Sequence, residues 1–305
     1  MLENKIEFNQ EICRAAINTF CDDDLFSNND NRYEESFFGR RLRPKVLPHL
    51  DFSQPFDGMQ LTYSSFAANR VLFAMNERDF LMLPKKFKKA DLIDFQNFYS
   101  DQKASAAGIA MPFLEQYLYS FLQKSVLVSE DWSVGSVRAY CEKFILDSKR
   151  VSKSLAADAI LQSNDAELAA RDFLIQLAPD FLIESSPMAR YSSGSFGKLS
   201  SELFTIIIDE LGYGIFEKKH STLFENTLKS VGLNPTPHYY WQYYLNGSLL
   251  LANYYNMITQ NRRYFFRYIG AIFHAETMFI QLCGIWKDAL EQILPNIDTA
   301  YLKEH

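Results

Sequence analysis

Apolar residues recur at helical spacing along most of the chain, and the two-residue alternation of half-buried strands is scarce. This periodicity predicts helices over residues 4–20, 61–75, 90–101, 104–123, 137–147, 151–161 and 166–177. Asp131-Trp132-Ser133 marks a helix start. Pro179 is expected to break or kink the chain before a helix at 180–190, and residues 192–197 read as a loop. A long helix is predicted over 201–232, followed by an Asn234-Pro235-Thr236-Pro237 connector, an aromatic helix at 238–259 and a further helix at 262–286. The polar break at 22–31 and the proline-rich stretch 37–58, with its Asp57-Gly58 turn, read as irregular. The expected fold class is all-α, with an N-terminal helical region over 1–125, able to mediate dimerisation, and a second domain over 126–305.

The stretch 201–232 departs from a simple amphipathic pattern. Leu203, Ile206, Ile207, Glu210, Gly214, Glu217, Ser221, Phe224 and Leu228 fall on one stripe of a continuous helix, so two carboxylates stand where core residues belong. His220 follows Glu217 by three residues and neighbours it on that surface. A lone carboxylate buried on such a stripe costs several kcal/mol unless it is paired, protonated or bound to a cation. The alternative is a solvated face of ordinary surface glutamates. Glu202, Asp209, Lys218, Lys219, Glu225 and Lys229 already supply a polar face elsewhere, which favours the cation.

Composition narrows the setting. The 305 residues hold 26 Phe and 17 Tyr against 12 Gly and 10 Pro, which suits long helices rather than a many-turned β fold. A net charge of −6 gives no reason to expect nucleic acid or an anionic membrane as partner, and the Lys-rich piece 84–89 is short. Cys13, Cys21, Cys141 and Cys283 are widely spaced, so neither a zinc knuckle nor a disulfide framework is indicated, and a reducing cytoplasm is expected. The N-terminus lacks an apolar signal core, and no apolar run is expected to span a membrane.

Three pieces carry a family resemblance: Phe181-Leu182-Ile183-Glu184-Ser185-Ser186, the loop from Gly194 to Gly197, and the spacing of Asp209-Glu210, Gly212, Gly214, His220 and Leu223-Phe224. Together they resemble the heme-oxygenase-like diiron oxidases over approximately residues 165–305. The resemblance implies a heme-oxygenase-like helical bundle with an extra N-terminal helical region, holding two irons between three helices. It assigns Glu184 to the first ligand helix, Glu210, Glu217 and His220 to the second, and His305 to the third. The third helix of the family usually carries His-x3-Asp-x2-His, so an aspartate and a second histidine are expected four and seven residues beyond His305. The ligand helix is therefore expected to continue past the sequence in hand.

The implied activity is an iron- and O2-dependent oxidation of a small amino-acid-like metabolite in a biosynthetic pathway. N-oxygenation stands slightly ahead of carbon-chain cleavage or desaturation, and an external electron donor is implied. Two alternatives stay open: a non-catalytic helical interaction protein of the same fold, and a mononuclear iron or manganese relative. Oxygen and nitrogen ligands suit iron or manganese better than structural zinc.

Among the remaining residues, Arg190, Tyr213 and Tyr244 are the candidates to contact substrate. His238, after Pro237, reads as a capping or surface residue, and His49, after Pro48, as a surface residue. His274 and Glu276 are rival metal ligands, but they lie two apart and point in different directions on a helix. The aromatic stripe that includes Tyr239, Trp241 and Tyr255 reads mostly as core, part of it able to line a pocket. Asn246 and Asn253, seven apart, are expected to hydrogen-bond inside the bundle.

Overall fold

The structure is a computed structural model that describes residues 7–27, 38–42, 47, 50–54, 56–58, 62–84, 87–125, 132–183, 185–194 and 197–305. His49 lies outside the described residues. The main helices are α1 (Gln10–Cys21), α2 (Tyr63–Asn76), α3 (Lys89–Phe98), α4 (Asp101–Tyr119), α5 (Val134–Ser148) and α6 (Leu155–Gln162). They are followed by α7 (Ala166–Phe181), α8 (Lys198–Glu210), α9 (His220–Ser230), α10 (Asn246–Gln260), α11 (Phe265–Ile293) and α12 (Ala300–Glu304). No strand occurs among the described residues, and the fold is the expected all-α, heme-oxygenase-like helical bundle.

Local capping explains several boundaries. Ser133 starts α5 by accepting from the Ser136 N–H at 3.1 Å, as the Asp131-Trp132-Ser133 signal predicts. Pro179 does not break the chain; it sits inside the last turn of α7, which ends two residues later at Phe181. The aromatic stretch from His238 is not α-helical until Asn246 and holds only a 3₁₀ turn at Trp241–Tyr243. His238 has φ +66° directly after Pro237, and Trp241 and Tyr244 are buried from an irregular turn, so their packing overrides the helical count.

The chain divides into two compact units, Met1–Leu127 with His238–Tyr254, and Val128–Pro237 with Tyr255–His305. In the first, α1 packs on α4 and α4 on α2. From Ala67 to Asn76 every residue of α2 is buried, so its polar side chains need internal partners. Asparagines supply them. Asn69 Nδ2 donates to Asn246 Oδ1 at 2.5 Å, Asn253 Nδ2 donates to Asn69 Oδ1 at 3.1 Å, and Asn76 Nδ2 donates to Asn253 Oδ1 at 2.9 Å. The expected buried role of Asn246 and Asn253 is thus realised as a ladder against Asn69 and Asn76, each pair two helical turns apart.

The same unit buries an ionic group. Arg40 Nη2 donates to Glu77 Oε2 at 2.9 Å, and His238 Nε2 lies 2.5 Å from Glu77 Oε1. The Arg40 and Glu77 side chains are 0% exposed, and His238 is 4% exposed. His238 is therefore a core residue and not the surface or capping residue expected from its place after a proline. Its burial is compensated by the acceptor that Glu77 provides.

In the second unit, α6 packs on α7 and α11, α9 on α7 and α12, and α12 on α11. Leu174, Phe181, Phe224, Leu290 and Tyr301 form the core, and Trp286 Nε1 donates to Ser154 Oγ at 2.9 Å. Helix α11 runs past the expected end at 286, and the stretch Arg262–Ile293 is long and apolar enough to cross a membrane by length and composition alone. Its Tyr268, Ile272, Cys283, Trp286 and Leu290 are buried in this unit, whereas Phe266 and Ile280 are exposed.

Candidate metal centre

The stripe at 201–232 is not one helix. Helix α8 stops at Glu210, two 3₁₀ turns (Gly212–Gly214 and Phe216–Lys218) intervene, and α9 starts at His220. Gly212, Tyr213 and Gly214 all have positive φ, at +60°, +55° and +79°, which ends α-helical hydrogen bonding. Gly212 is needed for a second reason: a Cβ there would lie 2.5 Å from the Lys218 carbonyl carbon. The chain folds back on itself at that contact.

This reversal joins two of the predicted ligands and separates the third. His220 Nδ1 lies 2.9 Å from Glu210 Oε2, with the two side chains 4% and 8% exposed. Glu217, in the turn between them, is exposed. His305, at the end of α12, completes the group: one ligand atom each from Glu210, His220 and His305 lie within 4.8 Å of one another. Tyr301 and Leu302, 1% and 4% exposed, anchor α12, and the Tyr301 ring packs 4.8 Å from His305 and 5.2 Å from Phe224.

Glu184 lies outside the described residues. Of the substrate candidates, Tyr213 is 65% exposed in the reversal. Tyr244 is buried in the first unit against Trp241. Arg190 Nη1 donates to Asn256 Oδ1 at 2.9 Å and to Thr259 Oγ1 at 3.0 Å, which commits that nitrogen to the fold.

The two histidines titrate in opposite directions. Burial opposes the His220 cation, but the hydrogen bond and charge of Glu210, with Asp209 and Glu304 behind them, hold the imidazole above its ordinary range. His305 is pushed below that range by burial, and His220 adds to the effect while Glu210 opposes it. His305 is thus neutral near pH 7, and its Nε2 is buried without a hydrogen-bond partner among the described residues. A buried, neutral imidazole nitrogen beside a carboxylate and a second imidazole is a donor set that fits iron.

A half-open pocket of about 50 Å³ adjoins the group. Glu210 and His305 reach its wall together with Asp180 and Glu276, and Phe181, Met188, Ile272 and Phe279 supply apolar surface. No lysine or arginine lines it among the described residues. Burial and the Glu210 charge push the Asp180 carboxyl up to about 7 and raise that of Glu276. Of the two, Glu276 is the rival ligand named from the sequence, whereas Asp180 is not among the sequence candidates. Asp180 lies one turn before Glu184, and Glu276 shares the Ile272 and Phe279 face of α11, from which His274 points away.

Carboxylate and imidazole donors carried by three helices thus meet within one all-α unit. Residues 171–305 match the model of a family described as iron-containing redox enzymes. Over 303 residues, 98% of its length, the chain is 42% identical to a nitrosourea synthase of Streptomyces achromogenes subsp. streptozoticus. It spans 63% of that enzyme's length.

Proposed function

We propose that this protein is an iron- and O2-dependent oxygenase that oxidises a nitrogen atom of a small amino-acid-like metabolite in a biosynthetic pathway. The convergence of Glu210, His220 and His305, with His305 Nε2 buried and unpartnered among the described residues, carries this reading. The similarity to an enzyme named for making a nitrosourea supports chemistry at nitrogen. Iron held by these residues would supply the site at which dioxygen is activated, with electrons from an external donor.

The residues around it have separable tasks. Glu210 is the hydrogen-bond and charge partner that raises the His220 imidazole, so a metal held there would compete with a proton. Asp180 and Glu276 offer carboxyl groups to an amine or guanidine nitrogen, and Phe181, Ile272 and Phe279 exclude water around it. Glu184 and Glu217 are the proposed ligands of a second iron. The four free cysteines, three of them buried, support a reducing cytoplasm.

A one-metal centre of iron or manganese is the second reading, favoured because only three donors converge among the described residues. The test is oxygen uptake by iron-loaded protein with a chemical reductant and L-arginine or L-lysine, followed by mass spectrometry of the amino acid. Insertion of oxygen from labelled O2 is expected. Oxygen uptake without any labelled product would contradict the proposal.

A further inference from the structure

The pocket beside the metal ligands is too small for a whole metabolite. Sites that enclose drug-sized ligands run to about 300–1,000 Å³, and an apolar protein cavity of about 150 Å³ holds benzene. At about 50 Å³ this half-open pocket has room for a head group of a few heavy atoms and leaves the rest of an amino acid outside. Asp180 and Glu276 on its wall favour a cationic head group.

Helix α11 sets the size. Its lining residues Ile272, Ala275, Glu276 and Phe279 have the spacing of one helical face. Among the described residues that line the pocket, Ala275 is the only one whose side chain ends at Cβ. It leaves a notch between Ile272, one turn before it, and Phe279, one turn after. The notch walls are held in place. Ile272 is 6% exposed and β-branched, with a restricted χ1. The Phe279 ring meets Phe181 edge-on at 6.0 Å and lies 6.2 Å from His305. Neither wall can retreat from a larger group without disturbing its own packing. A side chain longer than alanine at position 275 would fill the space that a head group needs.

We propose that Ala275 is a specificity-determining residue: it fixes the size of the nitrogen head group that the pocket takes, admitting a primary amine or a guanidinium and excluding a bulkier ammonium of the same charge. This deepens the cationic amino-acid reading above and rests on it. A residue that served packing alone would behave differently. Changing its size would move stability and leave the choice of head group as it was.

The experiment is anaerobic calorimetric titration of iron-loaded wild type, Ala275→Leu and Ala275→Gly with L-arginine, L-lysine and Nε-trimethyl-L-lysine, alongside thermal melts and iron analysis. The trimethylated head group keeps the charge of lysine and adds only bulk. The wild type is expected to bind L-arginine or L-lysine at least about 10-fold more tightly than the trimethylated probe. Ala275→Leu should weaken binding of the preferred amino acid at least about 10-fold at unchanged iron content and Tm, because the leucine enters open space. Ala275→Gly should lower the Tm, as glycine does inside a helix, and narrow the gap to the trimethylated probe. Equal wild-type affinity for the preferred and trimethylated probes, wild-type affinity in iron-loaded Ala275→Leu, or undiminished discrimination in Ala275→Gly overturns the assignment of Ala275. If Ala275→Leu loses iron or melts early, the discrimination of Ala275→Gly decides. Failure of the wild type to bind L-arginine or L-lysine overturns the cationic-substrate reading and this inference with it.

Discussion

His220 Nδ1 and Glu210 Oε2 stand 2.9 Å apart although ten residues separate them in the chain. On a continuous helix that separation would be about 15 Å along the axis, far beyond a shared ligand. The reversal between α8 and α9 is what creates the pair, and it depends on Gly212, whose φ is +60° and whose missing Cβ admits the Lys218 backbone.

Gly212→Ala therefore tests the proposed metal centre without changing a proposed ligand. The left-handed backbone alone costs about 1–2 kcal/mol for alanine, and the contact with backbone adds to it. We expect a lowered Tm together with weakened iron binding, read by melting curves and iron titration. Wild-type iron affinity in this variant would show that the reversal does not position the ligands.

Glu217 tests the second iron. Because the side chain is exposed, Glu217→Ala should change stability by no more than about 0.5 kcal/mol. If it holds metal as the resemblance implies, iron analysis after anaerobic loading and desalting will show lower stoichiometry with the tighter uptake preserved. Unchanged stoichiometry would remove Glu217 from the ligand set.

The asparagine ladder is a stability device. Asn253→Ala leaves Asn69 and Asn76 each short of a buried partner, at a cost of about 1–3 kcal/mol per unsatisfied group. Asn76→Ala combined with Asn253→Ala should cost less than the two single changes added together, because they share a bond. Denaturant melts of the four proteins in the cycle measure this, and simple additivity would argue against the ladder.

Acid should weaken the first unit. Burial, aided by Arg40, depresses the His238 imidazole in the folded state. Burial works to raise the Glu77 carboxyl, but His238 and Arg40 outweigh it and hold Glu77 low. Groups depressed on folding contribute stability above their unfolded values that is lost as pH falls. The Tm is thus expected to drop below roughly pH 6.5, the ordinary imidazole value, and further below about 4.5 as Glu77 protonates. His238→Gln should flatten the upper part of that profile, and an unaltered profile would contradict the assignment.

Helical periodicity made the all-α class legible, and α2, α4 and α7 appear close to where the apolar spacing puts them. Of the two carboxylates on the 201–232 stripe, Glu210 is buried beside His220, whereas Glu217 is exposed. The geometry of the stripe was hidden, because glycines within a helical pattern do not by themselves announce the positive φ at Gly212 and Gly214 or the close approach of the Lys218 backbone to Gly212. His238 was misread for the same kind of reason: its partners Glu77 and Arg40 lie more than 150 residues away, and no local pattern announces them. Asp180 and Glu276 sit on stripes that are legible once the cavity is known.

The central claim is that Glu210, His220 and His305 bind iron together. The most direct measurement is anaerobic Fe(II) titration of wild type, Glu210→Ala and His220→Ala, with folding checked by circular dichroism. Saturable uptake is predicted for the wild type, tighter as pH rises through the elevated His220 value, and lost in both folded variants. Absence of saturable uptake by the wild type, or its persistence in the two variants, would contradict the account.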